Sequence, residues 1–133
     1  PLSSEIVNKL NYCKQLPDTS PNELLDLHES SWEEWQDLSS QFMFMKLRTD
    51  LKTFQPDDNF ELIYFDAFAP DKQPDMWSED IFKRMYECLS TGGVLVTYSA
   101  KGLIKRRLKA IGFRVENLPG PPGKREMIRA IKR

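Results

Sequence analysis

The chain has 133 residues, of which 40% are hydrophobic and 29% are charged, and its formal net charge is −1. This length suits one domain over residues 1–133, and the balanced charge gives no global sign of a nucleic-acid or membrane partner. The sequence contains no apolar run long enough to span a membrane and no signal-peptide pattern.

The first third of the chain predicts two helices and a strand. Apolar residues recur at helical spacing through the segment 3–16, with Leu16 as the last apolar position. A second helical pattern, with many acids on one side, covers residues 22–40. The apolar run at 42–49 then predicts a strand that ends at Asp50.

The rest of the chain alternates strands and helices. The segment 60–65 predicts a central strand, because it is apolar on both faces. The elements that follow are a helix over 79–90 with Ser78 as N-cap and Gly92-Gly93 as its end, a strand over 94–99, a basic helix over 101–112, and an antiparallel strand pair over 113–118 and 125–131. This order predicts an α/β fold.

Polar residues fall at the carboxyl ends of three predicted strands, which is where ligands bind in open α/β sheets. They are Asp50, Asp66 and Ser99. For Asp66 two interpretations remain open at this point: a carboxylate that caps its own turn, or an acid that orients an amine or cationic ligand. The stiff segment after it, 67–70, would form a wall beside such a ligand.

The cysteines and the basic residues each allow a simple interpretation. Cys13 and Cys88 lack metal-ligand spacing with each other and with His28, so we expect no metal site, buried thiols and a cytoplasmic protein. Bases far outnumber acids over residues 101–133, either as a solvated surface or as a surface that faces a polyanion.

Four motifs in this order indicate a known family. They are FDAFAP at 65–70, QPDMW at 73–77, TYSA at 97–100 and GKREM at 123–127. With their spacing, they resemble the S-adenosylmethionine-dependent methyltransferase domain of the MnmC family, which modifies the wobble uridine of tRNA. The resemblance extends from about Phe42 to Arg129.

The resemblance implies a Rossmann-like class I methyltransferase sheet with helices on both faces and a C-terminal antiparallel strand pair. It implies S-adenosylmethionine as cofactor and an aminomethyl amine of tRNA as methyl acceptor. Asp66 is the expected catalytic residue, as an orienter of the amine more than as a base. The expected cofactor-binding residues are Asp50, Leu51, Asp66, Ala67, Phe68, Ala69 and Pro70.

The resemblance also suggests which residues contact the RNA substrate. Apolar and polar contacts are expected from Phe68, Met76, Trp77, Tyr98 and Ser99, although core packing is the alternative for Met76 and Trp77. The expected phosphate contacts are Lys101, Arg106, Lys124 and Arg125.

Two parts of the family pattern are missing from this sequence: a glycine-rich loop after the first strand and an acid that ends the second strand. We therefore expect the chain to be the C-terminal two-thirds of a methyltransferase domain, without the first two strands of the family order 3-2-1-4-5-7-6. The strand at 42–48 would then pair directly with 60–65, or the bare sheet edge would be repaired by self-association.

The missing loop leaves a second function open: an RNA- or partner-binding fragment that no longer binds the cofactor by itself. A flavin oxidoreductase domain finds no support, since the chain has no dinucleotide fingerprint.

Overall fold

The computed structural model describes residues 2–15 and 21–133. Backbone contacts divide the chain into two compact units, a first unit of Pro1–Thr49 and a second unit of Asp50–Arg133. The single domain expected from the chain length stays a prediction.

The first unit begins with short helices: α1 (Ser4–Val7), α2 (Tyr12–Gln15) and α3 (Pro21–Glu29). The single helix predicted over 3–16 is therefore wrong, and Leu16 lies outside the described residues. The backbone amides of Lys9 and Leu10 donate to carbonyls three residues back, which tightens the chain after α1 instead of continuing an α-helix.

The predicted helix over 22–40 is also wrong, because α3 ends at Glu29 and strand β1 follows at Trp35–Ser39. The Lys46 ammonium donates to the Leu27 and His28 carbonyl oxygens at 2.9 and 3.0 Å, which satisfies the end of α3. The chain then turns at Glu33, which has a φ of 65°.

Strand β1 pairs with β2 (Phe42–Met45) in a two-stranded antiparallel hairpin. Strand β2 is shorter than the predicted 42–49. The direct pairing expected between 42–48 and 60–65 is wrong, since β2 and the strand at 60–64 belong to separate sheets. The apolar residues of 32–38, which were expected on one face of a helix, instead lie in or beside the strand that pairs with β2.

The second unit contains a four-stranded sheet with two long helices. Its elements are β3 (Phe60–Tyr64), a 3-10 helix (Pro74–Trp77), α4 (Glu79–Cys88), β4 (Leu89–Thr97), α5 (Gly102–Ile111), β5 (Arg114–Pro119) and β6 (Glu126–Ile131). The sheet order is β3-β4-β6-β5, with β3 and β4 parallel and β6 antiparallel to both of its neighbours. This order is the 4-5-7-6 half of the predicted family sheet, so the predicted α/β methyltransferase fold is confirmed.

Helix α4 begins as predicted and ends earlier. The Ser78 hydroxyl accepts the Ile81 N–H at 3.4 Å as the N-cap. The helix ends at Cys88, and the Gly92-Gly93 pair lies inside β4. The Gly92 N–H donates to the Lys132 carbonyl oxygen at 3.0 Å, so the glycines extend the sheet instead of closing the helix.

Both helices of the second unit pack on one face of its sheet. Alternate strand residues such as Leu95 and Ile128 are buried against α4 and α5. The other face carries Leu62 and Tyr64, which are exposed. A second helix layer is thus not found within residues 50–133. The core consists of Phe65, Trp77, Ile81, Phe82, Met85, Leu89, Leu95, Ile104, Leu108, Phe113, Ile128 and Ala130.

Among the described residues, no helix combines the length and apolar character needed to cross a bilayer.

Candidate active site

The carboxyl ends of β3 and β4 bring two candidate segments together. These strands are parallel, and near their carboxyl ends Tyr64 lies opposite Val96. The Phe65 N–H donates to the Val96 carbonyl oxygen at 2.9 Å, which fixes the chain one residue before Asp66. The segment 66–70, here called the acid loop, and the segment 98–101 therefore leave the sheet at the same edge.

The acid loop is held by hydrogen bonds to three consecutive carbonyls. The Tyr98 hydroxyl donates to the Ala67 oxygen at 2.8 Å, and the Trp77 indole N–H donates to the Phe68 oxygen at 2.7 Å. The Ala69 oxygen accepts two backbone N–H groups of the following turn, at 2.7 and 3.0 Å. Hydrogen bonds to consecutive carbonyls restrict the conformations that the loop backbone can adopt.

The two predicted site acids differ in what they bind within the protein. Asp50 accepts the Lys52 N–H at 2.9 Å on its carboxylate and the Thr53 N–H at 2.9 Å on its carbonyl, so it caps its own turn. Asp66 is exposed, and its carboxylate makes no hydrogen bond or ion pair with the described residues. Turn capping thus describes Asp50, whereas Asp66 is available to a ligand.

A cleft of about 380 Å³, here called the basic cleft, opens beside the acid loop. It is lined by seven predicted site residues, Ala69, Pro70, Tyr98, Ser99, Lys101, Lys124 and Arg125, together with Asp71, Ala100 and Glu126. The segments that follow β3 and β4 thus line one cleft together with the segment that leads into β6.

The cations of the basic cleft fall into two groups. The Lys101 ammonium binds both carboxylate oxygens of Asp71, at 2.7 and 2.8 Å, and its charge is balanced. The Lys124 ammonium instead lies 5.2 Å from the centre of the Tyr98 ring. Within the described part of the chain, neither Lys124 nor Arg125 forms an ion pair with a carboxylate.

Other predicted site residues lie outside the basic cleft. Leu51 lines a separate apolar cavity of about 260 Å³. Met76 packs against the core and Trp77 is 1% exposed, so core packing, the alternative interpretation of both, describes their positions. Phe68 is 77% exposed on the acid loop, and Arg106 is exposed on α5.

Three residues make contacts in or beside the candidate site that the sequence did not predict. Asp71 neutralises Lys101, Glu126 binds Lys105 at 3.1 Å, and the Arg107 guanidinium donates to the Trp77 carbonyl oxygen at 2.7 Å. A sequence signal was present for Asp71, which directly follows the acid loop, and for Glu126, which lies in the GKREM motif. The contacts themselves join residues 21 to 30 positions apart, so the sequence does not reveal the pairing.

Two titratable groups of the second unit are perturbed, and neither lines the basic cleft. Burial raises the pKa of the Cys88 thiol. The hydrogen bond from Arg129 lowers the pKa of the Glu116 carboxyl. No group of three His, Cys, Asp or Glu side chains among the described residues is arranged to hold a metal ion.

Comparison with known proteins identifies the family. The model of the S-adenosyl-L-methionine-dependent methyltransferase family matches residues 9–133. The bifunctional tRNA 5-methylaminomethyl-2-thiouridine biosynthesis protein MnmC of Pseudoalteromonas atlantica is 44% identical over 68 residues, which are 51% of this chain and 10% of that protein. Its counterpart in Actinobacillus pleuropneumoniae is 37% identical over 65 residues, or 49% and 10% of the two chains.

A solved structure agrees at the level of the fold. MNMC2 from Aquifex aeolicus superposes with a TM-score of 0.56 at 24% identity, over 65% of this chain and 29% of that one. The matched segment spans about 10% of the length of the curated MnmC relatives. Because the family model matches almost its whole length, the chain belongs to the S-adenosyl-L-methionine-dependent methyltransferase family.

Proposed function

We propose that the chain is part of a cytoplasmic methyltransferase that transfers a methyl group to an aminomethyl amine on the wobble uridine of tRNA. The observation that carries the proposal is the acid loop: an exposed Asp66 without a partner among the described residues, on a fixed backbone beside the basic cleft. The names of the MnmC relatives support the tRNA substrate.

The residues present fit one side of S-adenosylmethionine. Asp66 and the acid loop offer an anionic and apolar surface for the amino-acid and methyl side, and Asp50 with Leu51 are candidates for the adenine side. All six glycines of the chain lie at or after Gly92, so a glycine-rich loop for the ribose and methionine is not in this sequence. The cofactor would supply a methyl group on a positively charged sulfur.

Asp66 has the properties that amine methylation requires. The acceptor nitrogen must present its lone pair in line with the methyl group, and it loses a proton when the new N–C bond forms. A carboxylate that accepts a hydrogen bond from the N–H group fixes that orientation and favours removal of the proton. The exposed Phe68 ring and the small Ala69 can shield the reacting atoms from water.

Lys124 and Arg125 are the proposed phosphate contacts. They are the cleft cations without a carboxylate partner in the described structure, whereas Lys101 is neutralised by Asp71. RNA affinity rests largely on such phosphate contacts and on the counterions that they release.

Binding of tRNA tests this division of the cations. We expect Lys124→Ala combined with Arg125→Ala to weaken tRNA binding and to reduce the magnitude of the slope of log affinity against log salt by roughly one to two. Lys101→Ala, in the same cleft, is the matched control and should leave the slope nearly unchanged. An equal effect of both variants would contradict the assignment.

The alternative function is an RNA- or partner-binding fragment that does not hold the cofactor by itself. The absence of a glycine-rich loop from this sequence favours this alternative. An RNA-binding fragment would bind tRNA as the methyltransferase would, but only the methyltransferase predicts binding of S-adenosylmethionine at the acid loop.

Self-association through β3 belongs to the same proposal. Within the described residues β3 pairs only with β4, so its outer edge offers unpaired backbone groups. Sedimentation velocity should then show a dimer whose fraction rises with concentration. A monomer at all concentrations would contradict self-association.

A further inference from the structure

Two aromatic side chains hold the acid loop from the core side. The Tyr98 hydroxyl and the Trp77 indole N–H donate to the carbonyl oxygens of two consecutive residues, Ala67 and Phe68, at 2.8 and 2.7 Å. Their rings meet edge to face, with centroids 5.9 Å apart. The two donors therefore belong to one packed unit and not to two independent contacts.

Trp77 is itself held by ring packing and by a hydrogen bond to its carbonyl oxygen. Its ring is buried and meets Phe65 edge to face, with centroids 5.2 Å apart. Its own carbonyl oxygen accepts a hydrogen bond from the Arg107 guanidinium of α5 at 2.7 Å. A donor held in this way transmits the rigidity of the core to the Phe68 carbonyl.

Asp66 lies between two fixed points of the backbone. On one side the Phe65 N–H is bound to Val96 at 2.9 Å, and on the other side the Ala67 carbonyl is bound to Tyr98 at 2.8 Å. Only the backbone torsions between these points remain to be set, and they determine the direction in which the Asp66 side chain leaves the backbone.

We propose that Tyr98 and Trp77 are positioning residues, which fix the backbone of the acid loop and thereby the points from which the Asp66 and Phe68 side chains project. This inference deepens the proposed function and rests on it for the role of Asp66. Tyr98 also lies under the Lys124 ammonium, so the same ring joins the acid loop to the proposed phosphate contact.

The Tyr98→Phe variant tests the inference, because it removes the hydroxyl and keeps the ring contacts with Trp77 and Lys124. Tyr64→Phe is the matched control, since Tyr64 is 78% exposed and its hydroxyl makes no hydrogen bond with the described residues. Trp77→Phe repeats the test at the Phe68 carbonyl.

The first readout is the backbone ¹⁵N order parameter of Ala67, Phe68 and Ala69, which is local and does not follow global stability. We expect about 0.85 in the natural chain and in Tyr64→Phe, falling toward about 0.6 in Tyr98→Phe. The second readout is the dissociation constant of S-adenosylhomocysteine, expected to rise about fivefold in Tyr98→Phe, the factor of one ordinary hydrogen bond.

The outcomes separate this inference from the proposed function. Unchanged order parameters in Tyr98→Phe would overturn the positioning role, and so would a looser loop with unchanged affinity. If the natural chain binds no S-adenosylhomocysteine, cofactor binding by this chain fails. The order parameters alone then decide whether Tyr98 fixes the acid loop.

Discussion

The two units of the chain differ in how much apolar surface they bury. In the second unit α4 and α5 enclose a core of twelve buried residues. In the described part of the first unit, Val7 is the only buried hydrophobic residue, while Trp35, Phe42 and Met43 are exposed on its hairpin. The main buried core and the candidate site therefore lie in the same unit, where core side chains donate hydrogen bonds to the acid loop.

The largest expected effect tests this difference with one substitution made in each unit. Leu95→Ala in β4 removes a fully buried side chain and should cost about 3 kcal/mol of unfolding free energy, since it leaves a cavity. Leu47→Ala in the first unit removes a side chain that is 41% exposed and should cost less than about 0.5 kcal/mol. Urea unfolding followed by circular dichroism measures both, and equal costs would contradict the comparison.

A second substitution sharpens the comparison within the second unit, at the junction of β3 and β4. A Cβ at Gly93 would lie 2.8 Å from the Ser90 carbonyl oxygen and 3.1 Å from that of Phe60, so Gly93→Ala should cost about 1–3 kcal/mol. Gly102→Ala is the control, since its Cβ would meet only the flexible end of Arg106 at 3.3 Å. A harmless Gly93→Ala, measured by the same urea unfolding, would show that the junction is looser than these distances imply.

The smallest expected effect is a pH dependence from the β5–β6 pair of the second unit. Two Arg129 hydrogen bonds reach Glu116, at 2.6 and 2.9 Å, and lower the pKa of its carboxyl. The native state then holds this proton less tightly than the unfolded chain. The stabilisation is therefore present above the ordinary pKa of about 4.3 and is lost as the pH falls through the lowered value.

Glu116→Gln removes this contribution. The difference in urea midpoint between the natural chain and the variant should be largest near neutral pH and shrink as the pH falls below about 4.3. A difference that stays constant down to acidic pH would show that the ion pair does not contribute in the expected direction.

The sequence predicted the second unit better than the first. Its strands and helices carry clear periodicity, and the FDAFAP motif together with the three motifs after it indicated the acid loop. The helix predicted over 22–40 was wrong because the apolar residues of this segment also suit a hairpin. The contact that ends α3 comes from Lys46, which is 18 and 19 positions away from the carbonyls that it binds.

The fixation of the acid loop was beyond sequence reasoning for the same physical reason. Trp77 and Tyr98 were expected on the substrate side, with core packing as the alternative for Trp77, but neither expectation included their hydrogen bonds to loop carbonyls 9 and 31 positions away. Likewise, the pattern of basic residues could not separate Lys101, which pairs with Asp71, from Lys124, which does not. Composition gives the charge of a segment, while only the fold gives its partners.

The most direct test of the central claim is isothermal titration of S-adenosylmethionine and S-adenosylhomocysteine into the chain and into Asp66→Ala. Asp58→Ala, an exposed acid in the turn before β3, is the control. We expect the natural chain and the control to bind equally, and Asp66→Ala to bind at least about tenfold more weakly, the loss of a charge-assisted hydrogen bond. Equal binding by all three chains, or no binding by any of them, would contradict cofactor binding at the acid loop.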